Sequence, residues 1–222
     1  MQFTTAAKLL AEFLGTAMIV AGVIGAGFMV ATLSAGFPLG LTMIAATVAA
    51  VLFVSISILG PVSGAHFNPA VTIAFLLRKA ISSAAAAGYI ASQVVGAIFG
   101  AVVANLMFEV PWLEISATGR FSAGTFLGEV VATFGLVLLI LLLVKFEKSH
   151  LIAASVAAWI FAGHIFTSST SFANPAVTIG RIFSDSPSSI SPDSALCFVL
   201  AQLVGMAVAL IVFVPLTKKV TS

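Results

Sequence analysis

The sequence predicts an all-α membrane protein: six transmembrane helices plus two re-entrant half-helices, arranged as an inverted repeat. Three observations carry this. Of 222 residues, 61% are hydrophobic and only 7% are charged. A soluble domain carries about 25% charged residues, so this chain cannot cover its own surface in water and the lipid bilayer is its solvent. Six apolar runs reach the length of about 20 residues that crosses the hydrocarbon core. Finally, the pentapeptide Asn-Pro-Ala-Val-Thr occurs twice, beginning at Asn68 and at Asn174, and each copy heads an apolar run too short to cross.

The six spans lie at roughly 8–32, 39–60, 83–108, 124–145, 150–169 and 193–215. "SAGFP" (34–38) closes the first, and the polar "EVPWLEISATGRFS" (109–122) divides the chain in two. "KFEKSH" (145–150) is a tight charged turn, and "SDSPSSISPDS" (184–194) precedes the last span. The two short runs, 68–77 and 174–183, are each about ten residues, or about 15 Å of helix and half a bilayer. Proline suits the first helical position and the asparagine before it can cap. Each run therefore reads as a half-helix starting at Asn68 or Asn174.

Other segments repeat as well. "AEFLGT" (11–16) is echoed by "GEVVAT" (128–133), and "SQVVGAIFG" (92–100) by "AQLVGMAVA" (201–209). The expected organisation is one domain over 1–222, with repeat 1 at about 1–108, repeat 2 at about 123–222 and a linker at 109–122. Three spans per repeat is an odd number, so the second repeat enters the membrane inverted. The half-helices then come from opposite faces and their Asn-Pro ends meet near the midplane, an arrangement that marks a transport pathway. Lys8, Arg78, Lys79, Lys145, Lys148, Lys218 and Lys219 fall on one side, and only Arg120 and Arg181 on the other. That places both termini in the cytoplasm of a multi-pass cell-membrane protein.

A net charge of +2, scattered along the chain, gives no nucleic-acid partner. The single Cys197 excludes an internal disulfide and a cysteine-based metal cluster. No metal or cofactor is expected, and no Ser/His/Asp or paired-acid constellation suggests an enzyme. The first span is too long for a signal-peptide core and carries Glu12. Small residues at Ser92, Gly96 and Gly100, and at Ala201, Gly205 and Ala209, predict close helix contacts.

Glu12 and Glu129 are intramembrane carboxylates, which default to a functional hypothesis. Either they relay protons, making a coupled secondary transporter, or they accept bonds from re-entrant backbone that otherwise lacks partners. Repeat symmetry supplies one per loop and favours the loop-supporting role. Facing helix N-termini create positive potential, and Asn68 and Asn174 can offer amide donors to a passing neutral hydroxyl solute. A cation meets a repulsive field, which is the logic of a neutral-solute pore.

"SGAHFNPAVT" (63–72), the second Asn-Pro-Ala, the Glu12/Thr16 and Glu129/Thr133 pairs, and the Gln93 and Gln202 pair resemble the aquaporin and aquaglyceroporin channels of the major intrinsic protein family. The resemblance covers essentially the whole chain. It implies one pore per subunit, usually in a homotetramer, with pore motifs Asn68-Pro69-Ala70 and Asn174-Pro175-Ala176, and makes His66 a loop-positioning, partly pore-facing group. The family usually places Arg after the second motif, where this chain has Val177. The remaining filter positions align with Val48, Ala162 and Ser171, with His164 competing for the place of Ala162 if "FTSSTS" (166–171) differs in length. Such a ring is wider and less polar than a water-only filter. Arg181 follows Val177 by four residues, so both face one side of the half-helix. It is either a vestibule group or the ion-pair partner of Asp185. The segment "FTSSTSFANPAVTIGR" also resembles aquaglyceroporins of bacterial arsenic-resistance operons, which implies a bacterial inner membrane and arsenite, other metalloid acids, glycerol and water as solutes. A strict water channel is the alternative.

Overall fold

A computed structural model describes residues 3–218; Lys219, counted above among the cytoplasmic charges, lies outside them. The described chain is helical and carries no strand. Six helices are long and apolar enough to cross a membrane: α1 (Thr5–Thr32), α2 (Phe37–Ser63), α4 (Ser83–Met107), α5 (Ala123–Lys145), α6 (Ile152–Phe166, entered through a 3-10 turn at Ser149–Leu151) and α8 (Pro192–Leu216). The half-helices are α3 (Pro69–Leu77) and α7 (Pro175–Gly180), the latter extended by a 3-10 turn at Arg181–Phe183.

Boundaries follow local chemistry. Ser82 and Ser122 cap α4 and α5 through their hydroxyls, Ser122 in a capping box with Thr125. Gly64, at φ 88°, ends α2 in the left-handed conformation that glycine tolerates. α6 stops at Phe166, short of the expected 169. Thr167 turns extended, and its hydroxyl and that of Ser169 then bond the backbone N–H of Ser171 inside the loop.

Each half of the chain runs long helix, long helix, half-helix, long helix. The first and last long helices of each half pack closely through small residues. A Cβ on Gly96 would strike the Phe13 carbonyl, and one on Gly100 the Ala17 carbonyl, so α4 lies backbone-to-backbone on α1. In the other half, a Cβ on Gly205 of α8 would come 2.5 Å from the Val130 carbonyl of α5. Without a hydrophobic drive between helices in lipid, such close approach is what holds them together. The outward faces carry large exposed apolar side chains, among them Leu10, Phe53, Phe99, Leu127, Leu196 and Ile211. The polar side chains Glu12, Gln93, Glu129, Thr133, Thr178 and Gln202 are fully buried. This inside-out pattern is that of a bilayer-solvated bundle.

Candidate functional site: the lumen between two Asn-Pro loops

The half-helices meet through their capping asparagines. Asn68 Oδ1 accepts from Ala70 N at 2.9 Å, and Asn174 Oδ1 from Ala176 N at 3.0 Å, so each caps its own helix. Each amide nitrogen crosses to the opposite loop: Asn68 Nδ2 donates to the Ala173 carbonyl at 2.8 Å, and Asn174 Nδ2 to the Phe67 carbonyl at 2.7 Å. The oxygen caps as expected, whereas one N–H of each amide is committed to the partner loop and not to the lumen. An Asn amide has two N–H donors, so one remains on each.

The loops feeding these caps are strained and then supported. Ala65 (φ 51°), Phe67 (φ 47°), Thr170 (φ 60°), Ser171 (φ 50°) and Ala173 (φ 47°) are non-glycine residues in the left-handed region, each at a cost of order 1–3 kcal/mol. In this conformation successive N–H groups turn toward the carboxylates. Glu12 Oε1 accepts from Ser63 Oγ (2.6 Å) and His66 N (3.0 Å), and its Oε2 from Phe67 N (2.7 Å) and Gln93 Nε2 (2.7 Å). Glu129 Oε1 accepts from Phe172 N (2.9 Å), and its Oε2 from Ala173 N (2.9 Å) and Gln202 Nε2 (2.6 Å). Gln93 and Gln202 reach on to the hydroxyls of Thr72 and Thr178, which in turn bond the carbonyls of Asn68 and Asn174. Each carboxylate thus braces one loop and one half-helix. With the N–H groups turned inward to the carboxylates, no donor among the described residues reaches the carbonyls of Gly64, Ala65, His66, Ser171 or Phe172. Buried backbone acceptors require partners, and these residues all lie on the wall of a cavity.

That cavity, of about 600 Å³, runs the length of α6, from Ser149 and His150 at one end, past Asn68 and Asn174, to His164 at the other. Its lining combines the apolar side chains Ile19, Val23, Leu52, Leu136, Val156 and Ile160 with residues of the two loops. Val48, Ser171 and Val177 all line it, although the Ser171 hydroxyl is enclosed without a partner, tight against Gly163. Ala162 does not belong to this wall. It is exposed on the outer face of α6, and His164, two residues on and 3% exposed, faces the lumen instead. The reason is helical phase: residues two apart on a helix point to different sides. His66 lies on the wall at the other side of the asparagines, its Nδ1 3.1 Å from Thr72 Oγ1 and its ring packed on Phe75 and Tyr89.

Arg181 corrects one of the two readings offered for it. It forms no pair with Asp185, whose carboxylate instead takes a bond from Ser116 Oγ at 3.2 Å. It is buried on the lumen wall toward the His164 end, one turn beyond Val177. The second arginine on this side, Arg120, clamps the loop through Ser189 O and Pro187 O, and burial lowers its pKa from the usual arginine value. Phe172 and Ser188, which hold Arg181, carry no sequence signal because their contact depends on how the loops fold. Thr72 and Thr178 did carry one, since both close the repeated pentapeptide.

Residues 1–173 match the Major intrinsic protein family. The chain belongs to that family. Its relatives include the aquaglyceroporin AqpS of Rhizobium meliloti, 42% identical over 94% of this chain and 89% of that protein. Aquaporin NIP3-1 of Arabidopsis thaliana is 38% identical over 60% of this chain and 43% of its own length. The X-ray structure of the aquaglyceroporin from Plasmodium falciparum shares the fold at a TM-score of 0.74, covering 95% of this chain and 96% of that one at 22% identity. As a major intrinsic protein the chain is a multi-pass membrane channel for small solutes and not an enzyme.

Proposed function

We propose that the chain is an aquaglyceroporin-type channel whose outer constriction, formed by Val48, His164, Ser171 and Val177, passes arsenous acid and related metalloid acids, glycerol and water. The observation that carries this is Val177 on the lumen wall, a short apolar side chain where the resemblance leads one to expect a long cation. A solute with several hydroxyls can replace its lost water with the free amide N–H groups of Asn68 and Asn174 and the unpartnered loop carbonyls. Its carbon or arsenic skeleton slides along the apolar part of the lining. The similarity to an aquaglyceroporin over nearly the whole chain supports the same class.

A strict water channel is the second reading, and His164 favours it, since an imidazole stands where the alignment allowed a methyl group. A proton-coupled transporter fits the geometry less well. Each carboxylate oxygen of Glu12 and Glu129 already accepts backbone or amide N–H groups, a task for a carboxylate that stays an acceptor. The two halves, about 1–108 and 123–222, form one channel domain as inverted repeats, joined by 109–122. Both termini face the cytoplasm of a bacterial inner membrane, following the bias of positive charge, and the subunit forms a homotetramer with one pore each.

The test is Val177→Arg in proteoliposomes, read as the ratio of arsenous-acid to water permeability on the same vesicles. A long, permanently charged side chain fills part of the ring, so the ratio and the matching glycerol ratio should fall together. A wild-type channel that passes water but neither arsenous acid nor glycerol would establish the strict water reading.

A further inference from the structure

We infer that Arg181 is the specificity-determining cation of the outer mouth. It holds a guanidinium fork one helical turn outward of Val177, where it refuses cations and binds acceptor oxygens of hydroxyl-bearing solutes beside the acceptor nitrogen of His164. The inference rests on the channel reading above and adds to it where the charge sits.

Arg181 is 3% exposed. Its Nε donates to the Ser188 carbonyl at 2.5 Å, and its guanidinium carbon lies 3.4 Å from the centre of the Phe172 ring. The hydrogen bond fixes the direction of the fork and the ring fixes its plane. An arginine stacked and tied in this way is preorganised, with little side-chain entropy left to lose when it binds. The terminal nitrogens have no hydrogen-bond partner among the described residues, yet they are not enclosed. The side chain stands on the cavity wall, which leaves the lumen as the place where these N–H donors can meet an acceptor. Asp185, the nearest carboxylate in sequence, bonds the Ser116 hydroxyl and forms no ion pair with Arg181. Arg120 sits 5.6 Å from the same ring, but its Nε and one terminal nitrogen are spent on Ser189 O and Pro187 O. It reinforces the positive mouth without offering a comparable fork.

His164 completes the pair. Its Nδ1 lies 2.8 Å from the Ile160 carbonyl. A carbonyl can only accept, so Nδ1 donates, and in the neutral ring Nε2 is then an acceptor. His164 and Arg181 line the same cavity. A solute with neighbouring oxygens, such as a vicinal diol or an undissociated oxyacid, can accept from the Arg181 fork through one oxygen and donate an O–H to His164 through another. A hydrated alkali cation meets a fixed positive charge before it reaches the wide ring at Val177. Loss of the cation at 177 therefore widens the lumen without surrendering ion exclusion.

The experiment uses proteoliposomes containing wild-type protein, Arg181→Gln, Arg181→Lys and the double variant Val177→Arg with Arg181→Gln. Water and glycerol permeability are read by light scattering, and sodium permeability by a fluorescent indicator. A unit charge acting over about 6 Å at an effective dielectric of about 20 sets a barrier worth roughly a hundredfold in rate. Arg181→Gln should raise sodium leak relative to water flux by about that factor, and the added arginine in the double variant should abolish the leak. A merely structural Arg181 would not be rescued from position 177. Arg181→Lys keeps the charge and loses the fork, so sodium should stay excluded while the glycerol-to-water ratio drops several-fold. Should Arg181→Gln fail to insert, the lysine variant decides: an unchanged glycerol-to-water ratio overturns the fork. Intact water flux with no sodium leak in Arg181→Gln overturns the inference while leaving the channel standing. Absence of water flux in the wild type would instead overturn the channel.

Discussion

Replacing Glu129 with glutamine separates a brace from a proton relay. The carboxylate is fully buried and accepts three bonds, from Phe172 N, Ala173 N and Gln202 Nε2. Whichever oxygen becomes an amide, its new N–H groups face a backbone N–H, of Phe172 or of Ala173. One buried donor then lacks an acceptor, at about 1–3 kcal/mol, and the remaining bonds lose their charge assistance, at about 1 kcal/mol each. Relief from burying a charge offsets part of this. A net loss of roughly 2–4 kcal/mol remains, a substantial part of the 5–15 kcal/mol typical of a folded protein. For a chain of this size that corresponds to a fall in Tm of about 5–15 °C. Ser171 and Ala173, both left-handed, depend on the same bracing, so the loop should loosen before the bundle does. Thermal unfolding in mild detergent measures the loss, and flux per folded channel measures what survives. Transport should persist at permissive temperature. A variant as stable as wild type but without transport would refute the bracing argument and point to proton coupling.

Three further outcomes are expected. Asn68→Asp or Asn174→Asp sets a carboxylate oxygen against the Ala173 or Phe67 carbonyl in place of the 2.8 and 2.7 Å bonds. Both should lower folded yield and flux and admit some cation leak, and unchanged flux without leak in both variants would count against the pore assignment. Gly96→Val drives a branched side chain into the Phe13 carbonyl of α1 and should cost about 1–3 kcal/mol, as overpacking does. Gly119→Ala, with open space around it, should leave the melting temperature alone, and thermal unfolding of the pair checks both. Glu12→Gln should behave as Glu129→Gln does but more mildly, because the Ser63 hydroxyl, 2.6 Å away, can turn to accept from the new amide. An equal or larger fall in Tm at Glu12 would show that Ser63 gives no such relief.

Much of the fold was legible because bilayer crossing leaves a simple length signal and the repeat leaves a literal one. Asn68 and Asn174 marked the half-helices through the Asn-Pro pair, which encodes a cap and a first turn together. Glu12 and Glu129 stood out because carboxylates are rare within apolar spans, and their loop bonds follow from where the repeat placed them. The lumen position on α6 was harder. Ala162 and His164 differ by two residues, and the end of α6 depends on Thr167 and Ser169 leaving the helix to bond the loop, which no periodicity records. Arg181 was ambiguous for a similar reason. The spacing to Asp185 was right for a helical ion pair, but the helix tightens to a 3-10 turn at Arg181 and its Nε is taken by Ser188.

The most direct measurement is stopped-flow light scattering on proteoliposomes challenged in turn with water, glycerol and arsenous acid, with and without a pH gradient. Flux of all three that rises linearly with solute concentration and ignores the gradient is the expected result for a passive lumen between the Asn68 and Asn174 loops. Saturable uptake that follows the proton gradient would contradict it.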